Sequence, residues 1–147
     1  MQLLMYTDYA LRALVYVGTH PAHPVSASAI AHAYQISPDH VAKATKALTR
    51  EHLLYATRGA RGGVQLAKPA SEIQIGTVVR LFEGDRGVVD CAGTTALPCR
   101  IASSCELRNV FAEAQEAFYA ILDRYSLADV VQNRPQLVQL LRVGPRS

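Results

Sequence analysis

The stretch Ser37–Lys68, SPDHVAKATKALTREHLLYATRGARGGVQLAK, decides the fold. Ser37 followed by Pro38 signals the start of a helix, because serine caps free N–H groups and proline suits the first helical position. The helix predicted from residue 38 has one apolar face and one polar, mostly cationic face. The polar face carries Asp39, Lys43, Lys46 and Arg50.

Two helices are predicted before this stretch. TDYALRALVYVG (residues 7–18) has apolar residues at helical spacing, with Thr7 as the expected N-cap, and Ser26 is expected to cap the helix SASAIAHAY (residues 26–34). Only QIS separates the second helix from the third. Two helices joined by a three-residue turn, with a basic face on the second, are typical of a helix-turn-helix.

A β-hairpin is predicted immediately after the third helix. The runs LLYATR and GVQLA are joined by GARGG, whose glycines allow the positive φ angles of a tight turn. The glycines lack the Gly-Lys-Ser/Thr ending of a phosphate-binding loop. A hairpin with an arginine tip behind a helix-turn-helix predicts a winged helix, and so a protein that is mainly α with a small β-hairpin wing.

A winged helix with this charge pattern predicts binding to double-stranded DNA. We expect lysine and arginine to meet phosphates, and Asp39 and His40, near the helix start, to lie closest to base edges. The candidate DNA contacts are Asp39, His40, Lys43, Lys46, Arg50, Arg58 and Arg61. Residues 1–68 hold seven Lys/Arg against three Asp/Glu, whereas residues 69–147 hold eight against nine. Ordinary surface charge is the alternative explanation for each basic residue.

Composition and sequence features argue against other classes of protein. Half of the 147 residues are apolar and 18% are charged, which favours one folded unit over disorder. No apolar run approaches the length needed to span a membrane, and the first residues lack the features of a signal peptide. We therefore expect a cytoplasmic protein that does not bind a membrane. The five histidines have no nucleophile partner visible in the sequence, and an enzyme is not expected.

The second half is predicted to be helical on both sides of a loop. SEIQIGTVVRLFEG (residues 71–84) predicts a fourth helix, and Ser103 with Glu106 matches the capping box of a long helix. Apolar residues at 107, 111, 114, 118, 121 and 125 form a heptad seam. The seam predicts a dimerisation helix, with packing onto the chain's own core as the alternative. SLADVVQ adds a short helix before a tail. We expect residues 1–83 to form the winged helix-turn-helix, 84–106 a loop and 107–147 the dimerisation helix and tail.

All the cysteines of the chain lie in that loop, at Cys91, Cys99 and Cys105. A disulfide would leave one thiol over and needs an oxidising compartment. Structural zinc favours close cysteine pairs, which are missing here, and unrelated structural cysteines would sit on apolar faces. An iron–sulfur cluster fits better, because its irons need thiolates and the start of the long helix favours an anionic ligand near Cys105. Three thiolates leave one coordination site of the cluster for a ligand from another part of the protein.

The chain resembles the family of winged-helix iron–sulfur transcriptional regulators that contains IscR and NsrR. The resemblance rests on TDYALRAL, QISPDHVAKATKAL, the wing with the fourth helix, the cysteine loop ending in CELR, and YSLADVV. It is strongest with the nitric-oxide-sensing branch. The resemblance implies a homodimeric repressor on a pseudo-palindromic operator, released when nitric oxide attacks the cluster. Sensing of redox stress or cluster supply by the same fold is one alternative, and a zinc-stabilised protein-interaction module is another.

The resemblance also implies a ligand set. Cys91, Cys99 and Cys105 would bind the cluster, and Asp8 matches the position of an aspartate that completes the site from the partner subunit in some relatives. Pairing of Asp8 with Arg12 one turn later is the alternative. Another branch uses a histidine where this chain has Arg108, which cannot ligate iron. The first cysteine gap is longer than is usual for the branch, and we expect a [4Fe–4S] cluster rather than [2Fe–2S].

Overall fold

Residues 2–59, 62–89 and 99–142 are described by a computed structural model, which is mainly helical with one antiparallel hairpin. The predicted fold class is thereby confirmed. The helices are α1 (Met5–Thr19), α2 (Ala27–Tyr34), α3 (Pro38–Arg50), α4 (Ile75–Glu83), α5 (Glu106–Leu122), α6 (Leu127–Val130) and α7 (Arg134–Arg142). The strands are β1 (Leu54–Thr57) and β2 (Gly63–Leu66), and short 3₁₀ turns cover Ala70–Glu72 and Ala102–Ser104. No helix in these described ranges is long and apolar enough to cross a membrane.

Helix α1 lies at the centre of the fold. Its inner face is small and apolar, with Ala10, Ala13 and Leu14 fully buried. Small side chains let the neighbouring helices approach closely, and α1 packs against α3, α4 and α6. The α3 residues of this core are Val41, Ala44 and Leu48, which leaves the opposite face of α3 to solvent.

The wing is held to the helices by a third segment. β1 and β2 pair antiparallel from Leu54 opposite Leu66 to Thr57 opposite Gly63. Val25, just before α2, exchanges two backbone hydrogen bonds with Val64, at 3.0 and 2.8 Å. A Cβ on Gly63 would lie 2.5 Å from the Val25 carbonyl oxygen, so glycine is required there.

The start of α1 differs from the prediction. Thr7 was expected to be the N-cap, but α1 begins at Met5 and Thr7 is a buried residue inside it. Glu83, at the end of α4, takes the capping role: it accepts hydrogen bonds from the Leu4 N–H at 2.8 Å and from the Thr7 hydroxyl. The carboxylate therefore satisfies a free N–H of α1 from a distant part of the chain.

The predicted caps of α2 and α3 hold in position. Ser26 is the N-cap of α2 and accepts a hydrogen bond from the Ala29 N–H at 3.1 Å. Ser37 precedes Pro38 as expected, although its side chain makes no capping hydrogen bond. Helix α3 ends at Arg50, because His52 takes a left-handed conformation with φ 56° and turns the chain into β1.

The expected capping box of the long helix is wrong. Ser103 lies in the 3₁₀ turn Ala102–Ser104, and Cys105 is the N-cap residue of α5. A capping box is present instead at α6, where the Ser126 side chain and the Asp129 side chain bond each other's backbone N–H. Residues 134–142, expected to be tail, form α7, and Arg134 donates from Nε to the Thr19 carbonyl at 2.8 Å.

Candidate nucleic-acid interface and metal-ligand segment

The outer face of α3 carries the charged side chains of this helix. The side chains predicted to contact DNA from this helix are all exposed: Asp39, His40, Lys43, Lys46 and Arg50. Arg50 places Nε 3.2 Å from Glu51 Oε1, whereas Lys43 and Lys46 have no ion-pair partner within the described residues. The two lysines therefore leave uncompensated positive charge on this face, as contact with phosphates requires.

Two tyrosines of α1 support the first turns of α3. The ring of Tyr9 stacks on the ring of His40, with centroids 5.3 Å apart and planes 14° apart. The Tyr6 hydroxyl donates a hydrogen bond to the Lys43 carbonyl at 3.1 Å. Sequence reasoning missed both residues, although two tyrosines three positions apart on one helix face are a signal for a shared contact surface.

The wing brings Arg58 to the end of β1 as an exposed side chain. The glycine turn behaves as predicted: Gly59 has φ +108°, and a Cβ on Gly62 would lie 2.5 Å from the Thr57 carbonyl oxygen. Arg61, the other predicted wing contact, lies outside the described residues.

Two of the three predicted cysteine ligands are described. Cys105 is half-buried at the N-cap of α5, and Cys99 is exposed six residues before it, where its carbonyl accepts from the Ala102 N–H at 3.1 Å. Cys91 lies outside the described residues. Accessible thiols, one of them at the N-cap of a helix, are the donor type that an iron–sulfur cluster requires. Within the described residues, which lack Cys91, no group of three metal-ligating side chains is assembled.

Asp8 occupies the first turn of α1. Its Oδ2 lies 2.8 Å from Arg12 Nε, and both side chains are partly exposed. The Arg12 guanidinium also lies over the Tyr34 ring, 5.5 Å from its centroid. The pairing with Arg12, the alternative to a ligand role for Asp8, is therefore present within the chain. The ligand role needs a second subunit and stays a prediction.

The long helix has an apolar face that the rest of the described chain leaves open. The exposed stripe is Leu107, Val110, Ala114, Ala117 and Ile121, spaced alternately three and four residues apart. Leu107, Val110 and Ile121 are between 55% and 59% exposed. Phe111 and Phe118, two members of the predicted seam, are instead half-buried. The outward stripe shares Leu107, Ala114 and Ile121 with the predicted seam and keeps its heptad spacing, with Val110 and Ala117 in place of the two phenylalanines.

A helix-turn-helix followed by a two-stranded wing, with a cationic outer face on the second helix, defines a winged-helix DNA-binding protein. The model of the Rrf2 family, described as iron-dependent transcriptional regulator, matches residues 3–133, and the chain belongs to this family of transcriptional regulators.

Relatives and solved structures agree with this assignment. The chain is 38% identical to the HTH-type transcriptional regulator NsrR of Oceanobacillus iheyensis over 97% of this chain and 98% of the relative. It is 37% identical to the HTH-type transcriptional regulator NsrR of Shouchella clausii, over 97% of this chain and 96% of the relative. The fold is similar to T. potens IscR, with TM-score 0.71, 22% identity and coverage of 90% and 88%. It is also similar to oxidized Staphylococcus aureus CymR, with TM-score 0.71, 22% identity and coverage of 88% and 95%.

Proposed function

We propose that this regulator is a homodimeric repressor. It would bind its operator only when it carries an iron–sulfur cluster, and it would dissociate from the DNA when nitric oxide reacts with that cluster. The observation that carries the proposal is Cys105 at the N-cap of α5, with Cys99 exposed in the turn before it, in a chain that matches NsrR relatives over nearly their whole length. These residues are the described part of the ligand set that the family resemblance implies.

DNA recognition is assigned to α3 and the wing. With its inner face buried against α1, α3 can enter the major groove only by the face that carries His40, Lys43 and Lys46. The lysines would neutralise phosphates and Asp39 and His40 would meet base edges. Arg58 would reach the backbone or minor groove beside α3.

The second subunit is assigned to the exposed stripe of α5. A helix of 17 residues is about 25 Å long, and its apolar residues at alternating three- and four-residue intervals suit packing against an identical helix. Two-fold pairing would place two α3 helices on the two halves of a pseudo-palindromic operator, about one turn of DNA apart.

Cys91, Cys99 and Cys105 would hold the cluster, with Asp8 of the partner subunit as the candidate fourth ligand. When bound, the cluster supplies iron atoms with which nitric oxide reacts. Its thiolate ligands would tether the segment that leads into α5. Loss of this tether would free the start of α5 while its other end stays attached to α4 through Arg80 and Asp123.

The change at α5 has a physical route to the DNA-binding face. Helix α4 ends at Glu83, whose carboxylate binds the first residues of α1 through Leu4 and Thr7. Helix α1 in turn packs along α3. A shift of α5 relative to α4 would therefore alter the position of α3 in each half of the dimer.

Anaerobic purification with iron, sulfide and visible-spectrum analysis tests the cofactor, and operator binding before and after nitric oxide tests the signal. We expect a coloured protein that loses DNA when nitric oxide is added. Cys105→Ala should lose iron and the response, whereas the matched control Ser103→Ala, two residues away, should keep both. Stoichiometric zinc without iron would refute the cluster, and unchanged DNA binding after nitric oxide would refute the signal.

A further inference from the structure

We infer that Tyr9 is a positioning residue for sequence-specific DNA recognition: it holds the ring of His40 in one orientation toward the base edges. The inference rests on the proposed entry of α3 into the major groove. It adds a residue of α1, a helix that does not itself enter the groove, to the determinants of base preference.

The Tyr9–His40 pair joins a buried, packed side chain to an exposed one. Tyr9 is 8% exposed and belongs to the core around α1, so its ring cannot move without disturbing the packing. His40 is exposed on the outer face of α3. With centroids 5.3 Å apart and planes only 14° apart, the buried ring provides a flat support for the exposed one.

The surroundings of His40 make this support necessary. An open groove of about 240 Å³, lined by Met5, Tyr6, Tyr9, His40 and Lys43, lies beside the ring. The groove leaves room for the imidazole to turn, and the Tyr9 ring restricts that rotation. The Tyr6 hydroxyl holds the Lys43 carbonyl at 3.1 Å, so the same turns of α1 also fix the backbone of α3 at this point.

Orientation matters for histidine more than for lysine. A neutral imidazole donates from one ring nitrogen and accepts at the other, so the plane of the ring decides which base edges it can pair with. A ring that is already held loses less freedom on binding than one that samples several rotamers. A lysine bound to phosphate gains little from such restraint, because its ammonium group donates in three directions.

Selection from a randomised double-stranded DNA library tests the inference with the full-length protein. His40→Ala identifies the base positions that His40 reads. We expect Tyr9→Leu to relax preference at those same positions and to weaken binding to the selected site by roughly two- to tenfold. Tyr9→Phe, which keeps the ring, should retain the wild-type preference. The matched control is Tyr16→Leu, which removes the stack between Tyr16 of α1 and His20, the residue that follows this helix, with centroids 4.5 Å apart.

The outcomes separate this inference from the proposed function. Wild-type protein that selects no sequence would refute the placement of α3 on base edges. Wild-type selection that Tyr9→Leu leaves unchanged, or relaxes only at positions that His40→Ala does not affect, would overturn the role of Tyr9 and leave the proposed function standing. Tyr9→Met replaces Tyr9→Leu if the latter does not fold. NMR of the wild-type chain should show His40 ring protons shifted by the Tyr9 ring current, and unshifted protons would also overturn the inference.

Discussion

The Arg80 guanidinium on α4 binds both carboxylate oxygens of Asp123, the C-cap residue of α5, with Nη1 2.8 Å from Oδ1 and 2.7 Å from Oδ2. The same guanidinium lies over the Tyr119 ring, 4.5 Å from its centroid. A Cβ on Gly76 would come within 2.0 Å of Asp123 Oδ1, so α4 approaches the end of α5 as closely as its backbone allows. The end of the long helix is therefore joined to the DNA-binding unit by a well-defined contact.

Replacement of Arg80 by methionine should weaken this joint. The ion pair is partly exposed and contributes modestly, and the stacking on Tyr119 adds to it, so we expect a loss of about 1 kcal/mol in the free energy of unfolding. Urea unfolding checks this value. Arg124→Met is the matched control, because Arg124 is exposed and makes no ion pair in the described part of the chain. Equal effects of the two variants would show that the joint does not depend on Arg80.

Gly76→Ala should disturb the same joint through sterics. The new Cβ would meet the Asp123 carboxylate and, at 2.8 Å, the Asp123 backbone nitrogen, so the end of α5 must shift. We expect a loss of about 1–3 kcal/mol in the free energy of unfolding. Gly18→Ala provides the comparison, because its Cβ would lie 3.4 Å from Leu127 and Val131 side-chain atoms, an ordinary contact. Its stability should stay within about 1 kcal/mol of wild type, and a larger loss there would contradict the steric explanation.

Local signals predicted the recognition helix and the wing. Ser37, Pro38 and the glycines near the hairpin tip act through their own backbone preferences, and such effects are visible in a short stretch of sequence. The contrast is Thr7, whose partner Glu83 is 76 residues away. The sequence around Thr7 predicts a capping residue. Only the folded chain shows that the Glu83 carboxylate of α4 takes this capping role.

The exposure of the candidate DNA-binding side chains of α3 was predictable from the sequence, whereas the residues that support them were not. The exposed face of α3 follows from helical periodicity, because residues on the side of the helix opposite the buried Val41 and Ala44 must point outward. The stack of Tyr9 on His40 joins two helices and depends on their packing distance, which no local pattern contains. The seam of α5 was predicted with the right spacing, but two of its members, Phe111 and Phe118, turn partly inward against the chain itself.

The capping box of α6 predicts a pH effect. Hydrogen bonds from the Ser126 side chain, at 2.6 Å, and from the Ser126 N–H, at 2.7 Å, lower the pKa of Asp129 below its ordinary value. A lowered carboxyl pKa gives stability that is complete above the unfolded-state pKa and is lost as the pH falls through the folded-state pKa. Asp129→Asn should therefore be less stable than wild type at neutral pH, with a difference that shrinks in acid.

Melting temperature as a function of pH checks this prediction. Asp85→Asn serves as the control, because Asp85 is exposed and makes no side-chain hydrogen bond in the described residues. A difference between Asp129→Asn and wild type that is constant down to the acid end of the range would contradict the titration of Asp129 as the cause.

Asp8→Ala should loosen the cluster if the carboxylate ligates iron. Loss of a ligand exposes the site, and we expect cluster loss to a chelator to quicken by about tenfold or more, judged from the effect of ligand partners at other metal sites. The decay of the visible spectrum under anaerobic conditions measures the rate. Asp39→Ala is the matched control on the DNA-binding face. An unchanged rate for Asp8→Ala would leave the pair with Arg12 as the whole role of this side chain.

Lys46→Ala tests the electrostatics of α3. Lys46 is exposed and has no acidic partner in the described residues, so its charge is free to displace a counterion from a phosphate. Its removal should weaken operator binding and make the plot of log affinity against log salt shallower by about 0.9 for each subunit that contacts DNA. Fluorescence anisotropy over a range of salt concentrations measures both quantities. Lys68→Ala is the matched control, since Lys68 is exposed beyond β2 and outside the polar face of α3. An equal change of slope in both variants would mean that the charge acts through the field of the whole protein and that α3 does not hold a phosphate through Lys46.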